Sequence, residues 1–262
     1  MAEHLEAPKL GTPKEEFLAS VRQALGRPAA SPPVPPYARL EESLADLEAL
    51  ERDLLKRLET GRDARLEELA QTAARRGWIV KRAPDSEEAL GYLSSVIAQL
   101  GVKRAVRSNE DVFQQLAVDS TLGRPGTQTK IVTTIIARDE SRSDENRSET
   151  TLRQLMIDAD IGITGADYAV AETGSVVVLP RAGLSRLVSL APPVHLALVR
   201  PQDVLDTLDD LFLLRRLHYY RNGGDMGSYL NFITGPSRTA DIEQTLVVGV
   251  HGPKEVHMII LG

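Results

Sequence analysis

Cysteine is absent from all 262 residues. No disulfide can form, and thiolate-held zinc or iron–sulfur centres cannot be built from this chain alone. Long apolar runs are missing as well: no stretch approaches the roughly 20 apolar residues a membrane helix needs. Met1 to Leu10 carries Glu3 and Glu6 and has no signal-peptide core, so a cytoplasmic location is expected. An excess of positive charge is lacking. The formal net charge of −6 and pI near 5.5 oppose the general attraction to phosphate backbones that drives non-specific nucleic-acid binding. There is no G-x-G-x-x-G, no Walker A loop and no G-x-S-x-G elbow, which leaves the familiar nucleotide-binding and hydrolase readings unsupported.

What is present is an ordinary globular composition, 42% hydrophobic and 26% charged, in a chain long enough for one large core, or one core with a small appendage. Thr12-Pro13-Lys14-Glu15 reads as a helix start, with Thr12 as N-cap, and the helix runs to about Leu25. Gly26 to Pro36 holds five prolines and is expected as an extended linker. Leu40, Leu44, Leu47, Leu54 and Leu58 form one apolar stripe on a helix. Asp63 to Arg76 is a third helix, with Leu66, Leu69 and Ala73 inward and Gly77 as its stop.

From Gly77 the pattern changes to α/β. Trp78-Ile79-Val80 and Lys103 to Arg107 read as strands around a helix capped by Asp85. Ile131 to Ile136, Val176 to Leu179 and Val194 to Val199 are further strands, and 137–150 reads as a solvated loop before a short helix at Leu152 to Ile157. Pro201 is expected to open a helix reaching about Leu217. Leu246 to Val250 and Val256 to Leu261 are separated by a turn too short for a crossover, which predicts an antiparallel pair and a mixed sheet. The expected organisation is a helical extension with a proline-rich linker over residues 1–60 and an α/β domain over 61–262.

Three segments could carry chemistry. Gly162 to Ser175 is rich in small residues that let backbone approach a ligand, and Glu172-Thr173-Gly174 stands just before an apolar strand, where a carboxylate would lie at the sheet edge. The alternative is that its glycines only serve turns. Gly235 to Glu243 reads as a helix opening whose free N–H groups, with Ser237, Arg238 and Thr239, would take a carboxylate or phosphate; plain N-capping by Ser237 or Thr239 competes with this. His251, in a tight turn, could act as acid or base, or simply be a hydrogen-bonded turn residue. A metal reading would gather Glu172, Asp241, Glu243, His251 and His257, but their spacing matches no compact motif, and no metal site is assigned. Arg215 to Arg221 interleaves cations and aromatics at a helix end, which suits the helix dipole better than nucleic acid.

Taken together, Gly162 to Ser175, Gly235 to Glu243 and Gly249-Val250-His251-Gly252-Pro253 resemble the LUD-domain family, in particular its lactate utilization protein C (LutC, YkgG) branch, over roughly Gly77 to Gly262. The resemblance implies an open α/β sheet flanked by helices, like that of the NagB/RpiA/CoA-transferase group. It also implies a role in oxidising L-lactate to pyruvate beside iron–sulfur partner proteins, which would supply the clusters, so that no cofactor is expected in this chain. In the related CoA-transferases a glutamate is the acyl nucleophile, and Glu172 is the carboxylate here in a comparable setting. The site expected on these grounds places Glu172 and His251 as catalytic groups, with Thr173, Gly174, Gly235, Ser237, Arg238 and Thr239 binding a small anion in one cleft. The alternatives are a non-catalytic assembly factor docking through the Leu40–Leu58 helix, and a stand-alone acyl or phospho-sugar enzyme of the same fold.

Overall fold

The computed structural model describes residues 14–26, 42–123, 132–135, 153–179, 186–227, 229–240 and 246–262. The chain divides into two compact units, Met1–Ser43 and Leu44–Gly262. In the first, α1 spans Lys14–Ala24; the proposed cap at Thr12 and the proline linker lie outside the described residues. The second unit opens with α2 (Leu44–Glu59) and α3 (Arg62–Arg76). The domain start expected at 61 thus falls between two helices of one compact unit.

Residues Leu47 and Leu54 of the α2 stripe are buried. They face α9 (Leu208–Arg221), and the polar flank of the contact is closed by Arg57 on Asp206 and Asp210 and by Arg221 on Glu51. α3 ends as its sequence requires. Gly77 sits at φ 101°, and the backbone there closes onto the carbonyls of Ala73 and Ala74.

A six-stranded sheet follows, in the order β1-β12-β7-β4-β2-β3. Its strands are β1 (Ile79–Ala83), β2 (Arg104–Arg107), β3 (Val132–Ile135), β4 (Ile161–Gly165), β7 (Val194–Val199) and β12 (Glu255–Leu261). Every pairing in it is parallel. The expectation of an antiparallel last pair is therefore corrected. β11 (Leu246–Val248) folds back on β10 (Arg238–Ala240), while β12 enters the sheet between β1 and β7. The physical reason is legible in β12 itself: Val256, Met258, Ile259 and Ile260 are all buried, apolar on both faces of the strand around His257, which needs cover on both sides and so a central place in a parallel sheet. Mixed pairing occurs instead in a second, four-stranded sheet, ordered β8-β5-β6-β9, of β5 (Tyr168–Val170), β6 (Ser175–Val178), β8 (Val204–Leu205) and β9 (Asn231–Ile233).

One face of the large sheet packs on α4 (Ser86–Leu100), through Leu93, Val96 and Ile97. The cap of α4 is the expected one: the Asp85 side chain accepts the Glu88 N–H at 2.8 Å. The other face packs on α3 and the small sheet, through Leu66, Leu69, Trp78 and Val176. Burying each such leucine contributes roughly 1.5–3 kcal/mol. The remaining helices are short: α5 (Val112–Gln115), α6 (Val118–Leu122), α7 (153–157) and α8 (Leu187–Leu190). The helix expected from Pro201 begins later. Pro201–Asp203 is a single 3-10 turn, Val204–Leu205 pairs with β5, and α9 starts after Thr207, whose capping box with Asp210 satisfies the first free N–H groups. Among the described residues no helix is long and apolar enough to cross a membrane.

Candidate functional site

Because all six strands run the same way, the large sheet has an amino edge, where the strands begin, and a carboxyl edge, where they end. The two edges carry different chemistry.

At the amino edge the Gly235 segment and the His251 turn meet. Ser237 donates its backbone N–H to the Pro253 carbonyl at 2.9 Å, accepts the Gly249 N–H at 2.9 Å, and takes the His251 N–H on its Oγ at 3.3 Å. The Lys254 N–H then bonds the Pro193 carbonyl at 2.9 Å, just ahead of β7. Gly235, at φ 103°, lies against the carbonyl of Arg76, where no side chain fits. Arg238 is exposed and lays its guanidinium on Gly77, with Nη2 2.5 Å from where a Cβ of that glycine would stand. His251, Arg238, Lys254, Arg75 and Arg76 are all exposed here. The expected helix start at Gly235–Glu243 is corrected, because Arg238–Ala240 is strand β10, with Thr239 opposite Val247. Among the described residues of this segment no helix begins. Asp241 and Glu243 lie outside the described residues.

Glu172 has another partner. Its Oε1 accepts the Leu208 N–H at 2.7 Å and its own N–H bonds the Asp206 carbonyl at 3.1 Å, so the carboxylate caps α9. Gly174, at φ 68°, packs against the backbone of Ala73, and Thr173 Oγ1 reaches the Val170 carbonyl at 3.4 Å. The Glu172 and Gly235 turns therefore touch α3 one turn apart, at Ala73 and Arg76. Among the described residues no hydrogen bond joins Glu172 to Ser237, Arg238 or His251. No group of three or more metal-ligating side chains is found among the described residues either.

Two strand histidines sit deeper. His195 of β7 is fully buried, bonds Thr164 Oγ1 through Nε2 at 2.9 Å, and is pushed down to about 3 by burial and then by His257. His257 of β12 is held between the Tyr92 hydroxyl at 2.9 Å and Glu255 at 2.8 Å, in keeping with its reading as a packed residue.

The carboxyl edge holds residues that the sequence reading passed over. After β2 comes Ser108-Asn109-Glu110-Asp111, and after β4 comes Ala166-Asp167. The chain leaves β2 toward β3 on one side and leaves β4 toward β7 on the other. These neighbouring strands thus form a topological switch point, the place where open α/β sheets bind ligands beyond their carboxyl ends. Glu110 is 95% buried by its 5% exposure, and its carboxyl group is bonded by the Ser108 hydroxyl through Oε2. Its Oε1 is buried with no hydrogen-bond partner. Burial raises the pKa of Glu110 above the ordinary carboxyl range, against the pull of Ser108 and of the Gly165 N–H, and the Asp167 charge raises it further. Gly165 makes the approach possible, since a Cβ there would stand 2.7 Å from the Glu110 Cβ. Arg200 forks onto Asp203 at 2.6 and 3.1 Å, and Arg107 onto Asp119 at 2.8 and 2.7 Å. The signal available beforehand was a serine and two carboxylates directly after a strand end, but only the strand order marks that end as a switch point.

The LUD domain family model matches residues 66–261. Lactate utilization protein C of Halalkalibacterium halodurans is 33% identical over 170 residues, 64% of this chain and 67% of that protein. YkgG of Escherichia coli, described as uncharacterized, is 30% identical over 253 residues, 94% of this chain and 96% of that protein. Lactate utilization protein B of Bacillus velezensis is 26% identical over 237 residues, covering 76% of this chain but 48% of that protein. In structure, a DUF162 family protein from Deinococcus radiodurans superposes with a TM-score of 0.50 at 19% identity, over 77% of this chain and 99% of that one, which speaks for the shared fold alone. With its open α/β sheet flanked by helices and a family match across nearly all of the large unit, the chain belongs to the LUD domain family, in its lactate utilization protein C and YkgG branch.

Proposed function

We propose that this chain is a component of an L-lactate utilization system, acting in the oxidation of L-lactate to pyruvate beside iron–sulfur partner proteins, and that it binds a small anion at the amino edge. The observation that carries the reading is the His251 turn held by its N–H on the Ser237 hydroxyl, next in sequence to the exposed Arg238, in a chain whose relatives are named for lactate utilization. Lactate oxidation releases two electrons, and a chain without cysteine leaves thiolate-ligated clusters to its partners. Likeness to lactate utilization protein B supports a related subunit among them. The assembly-factor alternative would have to dock through the part of α2 left exposed, which includes Leu44, since Leu47 and Leu54 are buried and α2 packs on α9.

Reconstitution tests the role directly. Lactate-dependent acceptor reduction by the iron–sulfur subunits should rise when this chain is added, and a rate indifferent to its omission would remove it from the reaction. Arg238→Ala should weaken lactate, pyruvate or phosphate binding in calorimetry by about ten- to a hundredfold, the loss of one charge-assisted contact. Equal binding by wild type and variant would end the anion assignment.

A further inference from the structure

The amino edge also holds a cleft apart from the Ser237 and His251 turns. Between the end of α4 and the starts of β2, β4, β7 and β12 lies a cavity of about 450 Å³, a size that suits a small-molecule ligand. Ser237, Arg238 and His251 do not line it. We propose that this cleft binds a small phosphomonoester with an apolar body, its phosphate held by Lys103, Arg104 and Lys254 and its body lying on Leu100, Pro193 and Val194.

Three observations support this. The first is that the walls of the cleft are fixed. On the β2 and β4 side, Asp160 Oδ2 accepts the Lys103 and Arg104 N–H groups at 2.8 Å each, and the Asp160 N–H bonds the Arg104 carbonyl at 2.9 Å. On the β7 and β12 side, the Lys254 N–H bonds the Pro193 carbonyl at 2.9 Å. Both rims are set before a ligand arrives, which lowers the ordering cost of binding.

The second is that the cations are uncommitted. Lys103, Arg104 and Lys254 are exposed, and among the described residues their side chains make no hydrogen bond or ion pair. The two carboxylates lining the cleft are engaged elsewhere: Asp160 on the two N–H groups, and Glu255 on His257 at 2.8 Å, which in turn meets the Tyr92 hydroxyl at 2.9 Å. A phosphomonoester presents three terminal oxygens, two for the planar fork of Arg104 and the third for a lysine ammonium, whereas a carboxylate presents two. The third observation is the apolar remainder of the lining. Leu100 is 40% exposed at the end of α4, and Pro193 is exposed before β7, so a ligand body seated there removes their surface from water. Cations on one part of the lining and apolar groups on the other fit a ligand charged at one end only.

The test uses the full-length chain, phenyl phosphate as the probe, and amide chemical shifts in nuclear magnetic resonance. Phenyl phosphate should move the amides of Lys103, Arg104, Lys254 and Glu255 to saturation, and should bind there more tightly than benzoate or inorganic phosphate. Arg104→Ala should weaken it about ten- to a hundredfold, the loss of one charge-assisted contact, and Lys254→Gln should weaken it as well. Leu100→Ser should weaken phenyl phosphate and leave inorganic phosphate unchanged. The proposal is overturned if the probe shifts none of these amides up to its solubility limit, if benzoate or inorganic phosphate binds as tightly, or if Arg104→Ala binds like wild type. Should Arg104→Ala fail to fold, Lys254→Gln decides the question alone. Arg238→Ala should leave these shifts in place, and their loss in that variant would end the cleft's standing as a separate site. Because the readout is local to the cleft, its failure and that of the Arg238 calorimetry are told apart.

Discussion

The two edges of the large sheet are built from the same six strands, yet the described residues they gather differ. Among the described residues the amino edge exposes Arg75, Arg76, Arg238, His251 and Lys254. Among the described residues the carboxyl edge pairs Arg107 with Asp119 and Arg200 with Asp203, and buries Glu110 beneath the surface. β4 shows the contrast within one strand: Gly162, near its start, has the backbone of Val188 directly on it, whereas Gly165, at its end, faces the side chain of Glu110. A parallel sheet thus sorts its loops by strand direction, because each kind of loop gathers at only one edge.

The largest effect expected is at that strand. Gly162→Ala drives a Cβ into the Val188 carbonyl, which is backbone and cannot swing aside, so urea unfolding should show a loss of more than about 3 kcal/mol. Gly165→Ala meets side-chain atoms of Glu110 and Val112 and should cost less stability while displacing Glu110. Equal losses would erase the difference between the two glycines.

Next in size is a pair of pH dependences with opposite sign. His195, held to about 3, stays neutral in the folded chain, while the unfolded chain takes up a proton below the ordinary 6.5. Stability therefore falls as pH drops from 6.5 toward 3, by about 3 kcal/mol between pH 6.5 and 4, and His195→Gln should flatten that limb. Glu110 is raised above the ordinary range, so its contribution is present in acid and is lost as pH rises through the folded value. Glu110→Gln should accordingly raise Tm more at pH 8 than at pH 4. Parallel slopes for the two variants would contradict the burial of one base and one acid.

The smallest effect separates Glu172 from both edges. As the cap of Leu208, Glu172→Ala should cost about 0.5–1 kcal/mol of stability, with lactate binding unchanged. A loss of ligand binding at wild-type stability would return Glu172 to the site.

Several elements were legible before any coordinates. The third helix and its Gly77 stop, the Asp85 cap, and the strand Val194–Val199 all rest on local pattern, and they stand within a residue or two of where the pattern put them. Pro201 and Gly235-Pro236-Ser237 are sound helix-opening chemistry, but Val204–Leu205 was taken by a strand partner distant in sequence, and Arg238–Ala240 by Leu246–Val248 a few residues further on. The short link before Glu255 suggested a hairpin because a turn shows only where a chain reverses, not whether the next strand pairs with the last.

Composition and period alone determined that this is a cysteine-free α/β chain with amphipathic helices, buried strands and capped ends, since those properties depend on neighbours a few residues away. Strand order, and with it the switch point beside Glu110, came only from tertiary packing. Which strand lies next to which depends on how faces remote in the chain cover one another, and a cleft formed by the starts of β2, β4, β7 and β12 exists only once that order is set.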